Sequence, residues 1–203
     1  MVWVWVLVGI VVVLLIVVGL LFARHQRSRQ LKEAFGPEYH RAVAERGDER
    51  AAEKELLERR QRHKQFEIRT LAPEARGAYL DRWLKTQRRF VDEPVAAVGE
   101  ADVLVRQVMS DRGYPVDEDF ERRAADLSVE HPVVVENYRA AQAISARAPN
   151  GRATTEELRQ SMVHFRALFD ELLGAEYRGR ENEVGRGNDP GREAISGETT
   201  TRQ

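Results

Sequence analysis

No cysteine occurs among the 203 residues of the chain, which excludes a disulfide-built scaffold and any thiolate zinc or iron–sulfur centre. An excess of either charge is also missing. Against 32 Lys+Arg stand 33 Asp+Glu, for a formal net charge of −1. A domain built to bind nucleic acid carries a strong basic excess, so no nucleic-acid partner is expected. A third absence is local: no charged side chain precedes Arg24. The other 180 residues are therefore about 36% charged, against roughly 25% in an ordinary soluble domain. A uniform globular protein does not have that composition.

Catalytic signatures are missing too. The histidines are His25, His40, His63, His131 and His164. No two of them lie four apart, and His-Glu-x-x-His does not occur. There is no phosphate-binding Gly-x-x-x-x-Gly-Lys, no Gly-x-Gly-x-x-Gly after a strand, and no Gly-x-Ser-x-Gly elbow. The carboxylates of Asp117, Glu118, Asp119 and Glu121 lack the spaced ligands and central glycine of a calcium loop. They suit the start of a helix, where negative charge complements the dipole. Arg88 and Arg89 beside Trp83 and Phe90 do not make a nucleic-acid groove, because residues 69–125 are net acidic by one charge. No catalytic residue, metal or cofactor is expected, and the chain is not expected to be an enzyme.

What the sequence does contain begins at its first residues. Positions 2–22 are apolar or glycine without interruption. As a helix this run is roughly 32 Å long, which matches a hydrocarbon core of about 30 Å. Nine of its residues are valine, a poor helix former in water, but lipid obliges the backbone to satisfy its own hydrogen bonds. Trp3 and Trp5 stand at one end, where indoles favour the headgroup layer. A cleaved signal peptide would need a basic start, a shorter apolar stretch and a small residue two places before the cut. Leu21-Phe22-Ala23 does not supply that residue, so residues 1–23 are read as an uncleaved anchor.

Arg24, Arg27, Arg29 and Lys32 follow directly. By the positive-inside rule they place the rest of the chain in the cytoplasm. The same cluster could attract anionic lipid headgroups, at about 1 kcal/mol per basic residue near the surface, but the preferred reading is a topology signal alone. The run has no Gly-x-x-x-Gly pair for close helix dimerisation.

Beyond the apolar run the pattern is helical throughout. Residues 28–35 continue the first helix until Gly36-Pro37. Pro37 suits the first position of a second helix ending at Gly47. Asp48 then caps a long polar helix to about Phe66, with the pairs Glu55/Arg59 and Glu58/Arg62 four apart. Its thin apolar content makes residues 24–70 a solvated polar stalk, with a short coiled coil as the alternative.

Residues 71–173 read as a helical bundle. One helix opens at Pro73 with Tyr79, Leu80, Trp83, Leu84 and Phe90 for its stripe. The next, capped by Asp92, offers Val95, Val98, Ala101, Val105, Val108 and Met109. Shorter helices follow at 118–127 and 133–146, and His131 precedes the second of these. Thr154 with Glu157 is a capping-box signature. It introduces a last helix carrying Leu158, Met162, Phe165, Leu168, Phe169 and Leu172. Asn150-Gly151, often a hairpin signal, falls between helical periods and reads as a loop. Residues 174–203 hold too little apolar surface to offset their ordering entropy and are read as a disordered tail.

Several strings carry a resemblance: Phe35-Gly-Pro-Glu-Tyr39, Arg89-Phe-Val-Asp-Glu-Pro94, Ala101-Asp102, Arg112-Gly-Tyr-Pro115, Ala125-Asp-Leu-Ser-Val-Glu-His-Pro132, Asn137-Tyr-Arg139 and Leu158-Arg-Gln-Ser-Met-Val-His-Phe-Arg166. Together they resemble a group of bacterial proteins with one N-terminal membrane span, a helical domain and no assigned activity. The resemblance covers residues 35–173 and carries over no functional residue.

The expectation is therefore an all-α chain: a single-pass anchor in the bacterial inner membrane, a polar stalk, a cytoplasmic bundle and a tail. Its expected role is binding or scaffolding at the bilayer, with a protein partner. Two other readings remain open: an extracytoplasmic envelope protein, anchored or released, and an enzyme with an unrecognised site.

Overall fold

A computed structural model describes residues 2–116 and 119–174, without the side chains of eleven residues between positions 2 and 24. Asp117, Glu118 and, from residue 175 onward, the expected tail lie outside the described residues. The described part is all-α, with no strand. It comprises α1 (Val2–Phe35), α2 (Pro37–Arg46), α3 (Glu49–His63), α4 (Pro73–Arg89), α5 (Pro94–Asp111), α6 (Phe120–Leu127), α7 (Val134–Ser145) and α8 (Thr155–Leu173). Among the described residues no helix is long and apolar enough to cross a membrane. The structure therefore does not show the span expected at 2–22, although α1 runs unbroken through it.

The first half departs from the solvated stalk. Gly36 breaks α1 with φ 46° and ψ −121°, a backbone state open to glycine and strained for other residues. Pro37 then starts α2 at once. Asp48 accepts a hydrogen bond from the Ala51 amide and starts α3, so the chain doubles back as a helical hairpin. Leu31, Phe35, Tyr39, Ala42, Ala52 and Leu56 close around one another as a small core of their own. Val43, Leu57 and Val129 pack against it.

The coiled coil considered for this segment has no free seam, because Ala52 and Leu56 are wholly buried. The physical reason is economy of apolar surface. Four or five small apolar groups cannot drive a stalk to dimerise, but they suffice to seat α3 on α2 once the end of α1 adds Leu31 and Phe35.

The second half is the expected bundle. α8 packs against α5 and α7, and α4 against α5. Their shared core includes Trp83, Val98, Leu104, Val105, Val108, Met109, Leu127, Tyr138, Phe165, Leu168 and Phe169. Trp83 stacks on Phe169 with ring centroids 4.7 Å apart and an interplanar angle of 25°. Tyr138 meets Phe120 and Phe165 edge to face. The capping box at Thr154 and Glu157 is complete.

Differences are matters of helical phase. Leu84, one residue past Trp83 and so about 100° around the helix, faces solvent at 49% exposure. Val95, in the first turn of α5, is likewise exposed. Ala97 and Leu104 take the buried positions instead. Asp92 does not cap α5; Glu93 holds the cap position without a side-chain bond. The described part of α6 is Phe120–Leu127, with Asp119 accepting from the Arg122 amide.

The crossing from hairpin to bundle fixes Gly113. Its φ is +93°, and a Cβ placed there would lie 2.3 Å from the carbonyl oxygen of Glu67. The crossing is pinned alongside: the Arg69 amide donates to Arg112 O at 2.9 Å, and Arg69 Nε to Asp111 O at 2.8 Å. Gly113→Ala is expected to cost about 2–3 kcal/mol, from left-handed strain and the backbone clash together. Thermal unfolding of the full chain in detergent measures it, and a loss below about 0.5 kcal/mol would contradict the close approach.

Candidate functional site

The residues expected at the bilayer surface all lie on α1. Trp3 and Trp5 are exposed, at 83% and 75%. Arg27, Arg29 and Lys32 are exposed as well, and the Arg24 side chain lies outside those described. Lys32 has a second task. Its ammonium donates to Glu49 Oε1 at 2.9 Å and sits 5.1 Å from the centre of the Tyr39 ring. That hydrogen bond to Glu49 holds the Lys32 pKa above the ordinary lysine value. Tyr39 donates to the same carboxylate at 3.0 Å and to Glu53 at 3.2 Å. These contacts tie the end of α1 to the start of α3.

Deeper in, one carboxylate joins the hairpin to the bundle. Glu38 is wholly buried because Pro37 and Gly36 turn the first residues of α2 inward. Its Oε2 accepts from Arg59 Nη1 at 3.2 Å and from Arg139 Nη2 at 3.3 Å. Its Oε1 accepts from Arg139 Nε at 3.3 Å. Arg59 also donates to Ser128 Oγ at 3.4 Å and to Glu55. Arg62 reaches Asp126 rather than Glu58. Of the two sequence pairs, Glu55/Arg59 forms along the helix, whereas Arg62 is spent across the interface. A polar cleft of about 570 Å³ opens beside this node, with Arg41, Arg59, Glu55, Glu121 and Arg122 on its walls.

A second polar cluster lies where α3, the α5–α6 turn, the α6–α7 turn and α8 meet. Tyr114 donates to Glu130 Oε2 at 2.5 Å. His63 Nε2 lies 3.7 Å from Glu130 Oε1, and His131 Nε2 lies 3.8 Å from Oε2. His131 Nδ1 is 3.2 Å from Glu171 Oε1. Arg112 passes over the Tyr114 ring at 5.9 Å and donates to Leu172 O at 3.1 Å.

Burial, then the hydrogen bond to Glu130, pushes the Tyr114 hydroxyl well above the usual tyrosine range. Tyr114 is therefore a fixed donor and not a base. Burial lowers the pKa of His131 against the opposing pull of Glu171. Among the described residues no group of three or more His, Cys, Asp or Glu is arranged to hold a metal ion. Chemically the cluster gathers a buried hydroxyl donor, two imidazoles and two carboxylates, linked by contacts of 2.5 to 3.8 Å.

Because the fold favours neutral His131, its contribution to stability is complete above the ordinary histidine pKa of about 6.5. The contribution is lost as the pH falls through the lower folded-state value. The melting temperature of the full chain is expected to drop more steeply between pH 6.5 and pH 5, taken as roughly the histidine window, than that of His131→Gln. Parallel curves would contradict it. His164 is elsewhere, with Nδ1 at 2.8 Å from Asn137 Oδ1, and the structure does not bring it near His131.

Neither residue type nor spacing marks Glu38, Arg139 or Asp126 in the sequence. Phe35-Gly-Pro-Glu-Tyr39, Ala125-Asp-Leu-Ser-Val-Glu-His-Pro132 and Asn137-Tyr-Arg139 nevertheless meet here, since Glu38, Ser128 and Arg139 share one node. No protein-family model, no curated protein and no solved structure matches the chain.

Proposed function

We propose that the chain is a membrane-anchored helical module for protein interaction or scaffolding, without an enzymatic activity of its own. Residues 2–22 form its single-pass anchor in a bacterial inner membrane, and the bundle of residues 71–173 works on the cytoplasmic side. The resemblance to single-span bacterial proteins implies the anchor and the helical domain, and no activity.

The observation that carries the reading is the continuity of α1. The helix that contains the apolar run continues to Phe35 and ends with Leu31 and Phe35 each only 1% exposed. Those two side chains belong to the hairpin core, and the hairpin is bonded to the bundle through Glu38. A mobile tether would let the domain tumble against the bilayer. A continuous helix packed at its far end instead presents one fixed face of the domain to the membrane and another to a partner. An apolar segment of about 21 residues gains nothing in water, and its length suits a bilayer.

A reporter active only outside the cytoplasm, fused after Gln203, tests the orientation. It is expected to be silent, while a cytoplasm-active reporter at the same place works. The reverse pattern makes the chain an extracytoplasmic envelope protein. Affinity capture of the full chain from solubilised membranes tests the role. A reproducible protein partner is expected, and its absence would count against scaffolding.

A further inference from the structure

Between α1 and α3 lies an open groove of about 710 Å³, with Arg27 on one side and Arg50, Glu53, Lys54, Leu57 and Glu58 along the other. We propose that this groove holds the phosphate headgroup of an anionic phospholipid, with Arg27 and Arg50 as its ligands. The proposal rests on the reading of residues 2–22 as a membrane anchor.

Depth is the first argument. Arg27 lies five residues beyond Phe22, which along a helix is about 7–8 Å past the end of the apolar run. The headgroup layer on each side of a bilayer is of that thickness, about 5–8 Å. The fold then places Arg50 on the lining of the same groove, from a position the sequence separates by more than twenty residues.

Availability is the second argument. Arg27, Arg50 and Lys54 outnumber the two acids on the lining, Glu53 and Glu58. Lys54 is 3.8 Å from Glu58, and Lys32 is committed to Glu49. Arg27 and Arg50 have no hydrogen-bond or ion-pair partner among the described residues. A guanidinium pair is suited to a phosphate, which it can bind in a forked geometry. Leu57 adds an apolar wall, which fits the glycerol end of a lipid better than a free ion.

The test uses the full chain reconstituted into phosphatidylcholine vesicles holding a few mole per cent of spin-labelled lipid. Electron spin resonance gives the share of labelled lipid immobilised by the protein. Labelled phosphatidylglycerol is expected to be favoured over labelled phosphatidylcholine. Arg50→Gln is expected to lower that preference about fivefold, the weight of one basic residue near the surface. Arg152→Gln, an equal loss of charge on the exposed loop before α8, is expected to leave it within about twofold. Excess inorganic phosphate is expected not to displace the lipid.

The proposal is overturned if Arg50→Gln and Arg152→Gln behave alike, or if inorganic phosphate abolishes the preference. A chain that does not enter the vesicles at all overturns the anchor itself. That outcome is distinct from insertion without lipid preference, which sinks only the headgroup site.

Discussion

Glu38→Gln is expected to destabilise the fold by about 3–5 kcal/mol, the range found when one partner of a buried ion pair is removed. The side chains of Glu38, Arg59 and Arg139 are 1%, 8% and 10% exposed. Glutamine keeps the shape and one acceptor oxygen but removes the charge that two buried guanidinia face. Neither arginine can shed its proton, so the cost appears in the folded state. Arg59 keeps Glu55 and Arg139 keeps Glu121, which places the effect toward the lower end.

For a chain of this size the melting temperature is expected to fall by roughly 10 °C. Hydrogen exchange is expected to rise first in α2 and α3. Arg46→Gln is the control, since Arg46 is 55% exposed beside Glu55 and solvent screens its pair. If Glu38→Gln costs no more than Arg46→Gln, the hairpin is not held on the bundle by this carboxylate.

Trp83→Ala is the other large effect, at about 3–5 kcal/mol for an aromatic side chain cut out of a packed core. Trp83 is 1% exposed, lies on α4 and stacks on Phe169 of α8. It is therefore the main aromatic bridge between those helices. Its indole Nε1 has no hydrogen-bond partner among the described residues. Trp83→Phe keeps a stacked ring while removing a buried donor that gains nothing, and so is expected to cost less than half as much. Thermal unfolding of both variants decides. An equal loss for alanine and phenylalanine would mean that ring stacking contributes little.

The bundle was legible because its helices announce themselves locally. Thr154 and Glu157 form a capping box on spacing alone. The stripe from Leu158 to Leu172 needs only the helical period to be seen, and all six of its expected members are buried. Helical phase is ambiguous where an apolar residue sits beside the stripe, as Leu84 beside Trp83 and Val95 ahead of Val98. Propensity cannot tell a flank from a face when both are apolar.

The hairpin was not legible for a different reason. Its core is assembled from Leu31 and Phe35 of one helix, Tyr39 and Ala42 of a second, and Ala52 and Leu56 of a third. Read separately, the charged end of the first helix and the two helices after it look too polar to bury anything. Glu38, in the first turn of α2, has the same sequence appearance as any acid that complements a helix dipole. Only the turn at Gly36 aims it inward, and only Arg59 together with Arg139, 101 positions away, makes its burial tolerable. Long-range charge pairing leaves no periodic trace. Residues 24–70 thus read as a stalk, although Arg59 is 6% exposed and Ala52 fully enclosed.

The measurement nearest the centre of this account is alkaline carbonate extraction of membranes from cells making the full chain. A helix that spans the bilayer through residues 2–22 keeps the chain with the lipid when peripheral proteins are stripped away. Val12→Arg, near the middle of the run, adds about 2.5–3.5 kcal/mol to insertion and is expected to shift chain into the wash. Recovery of the unaltered chain in the wash would contradict the anchor, and with it the fixed presentation of the domain at the membrane.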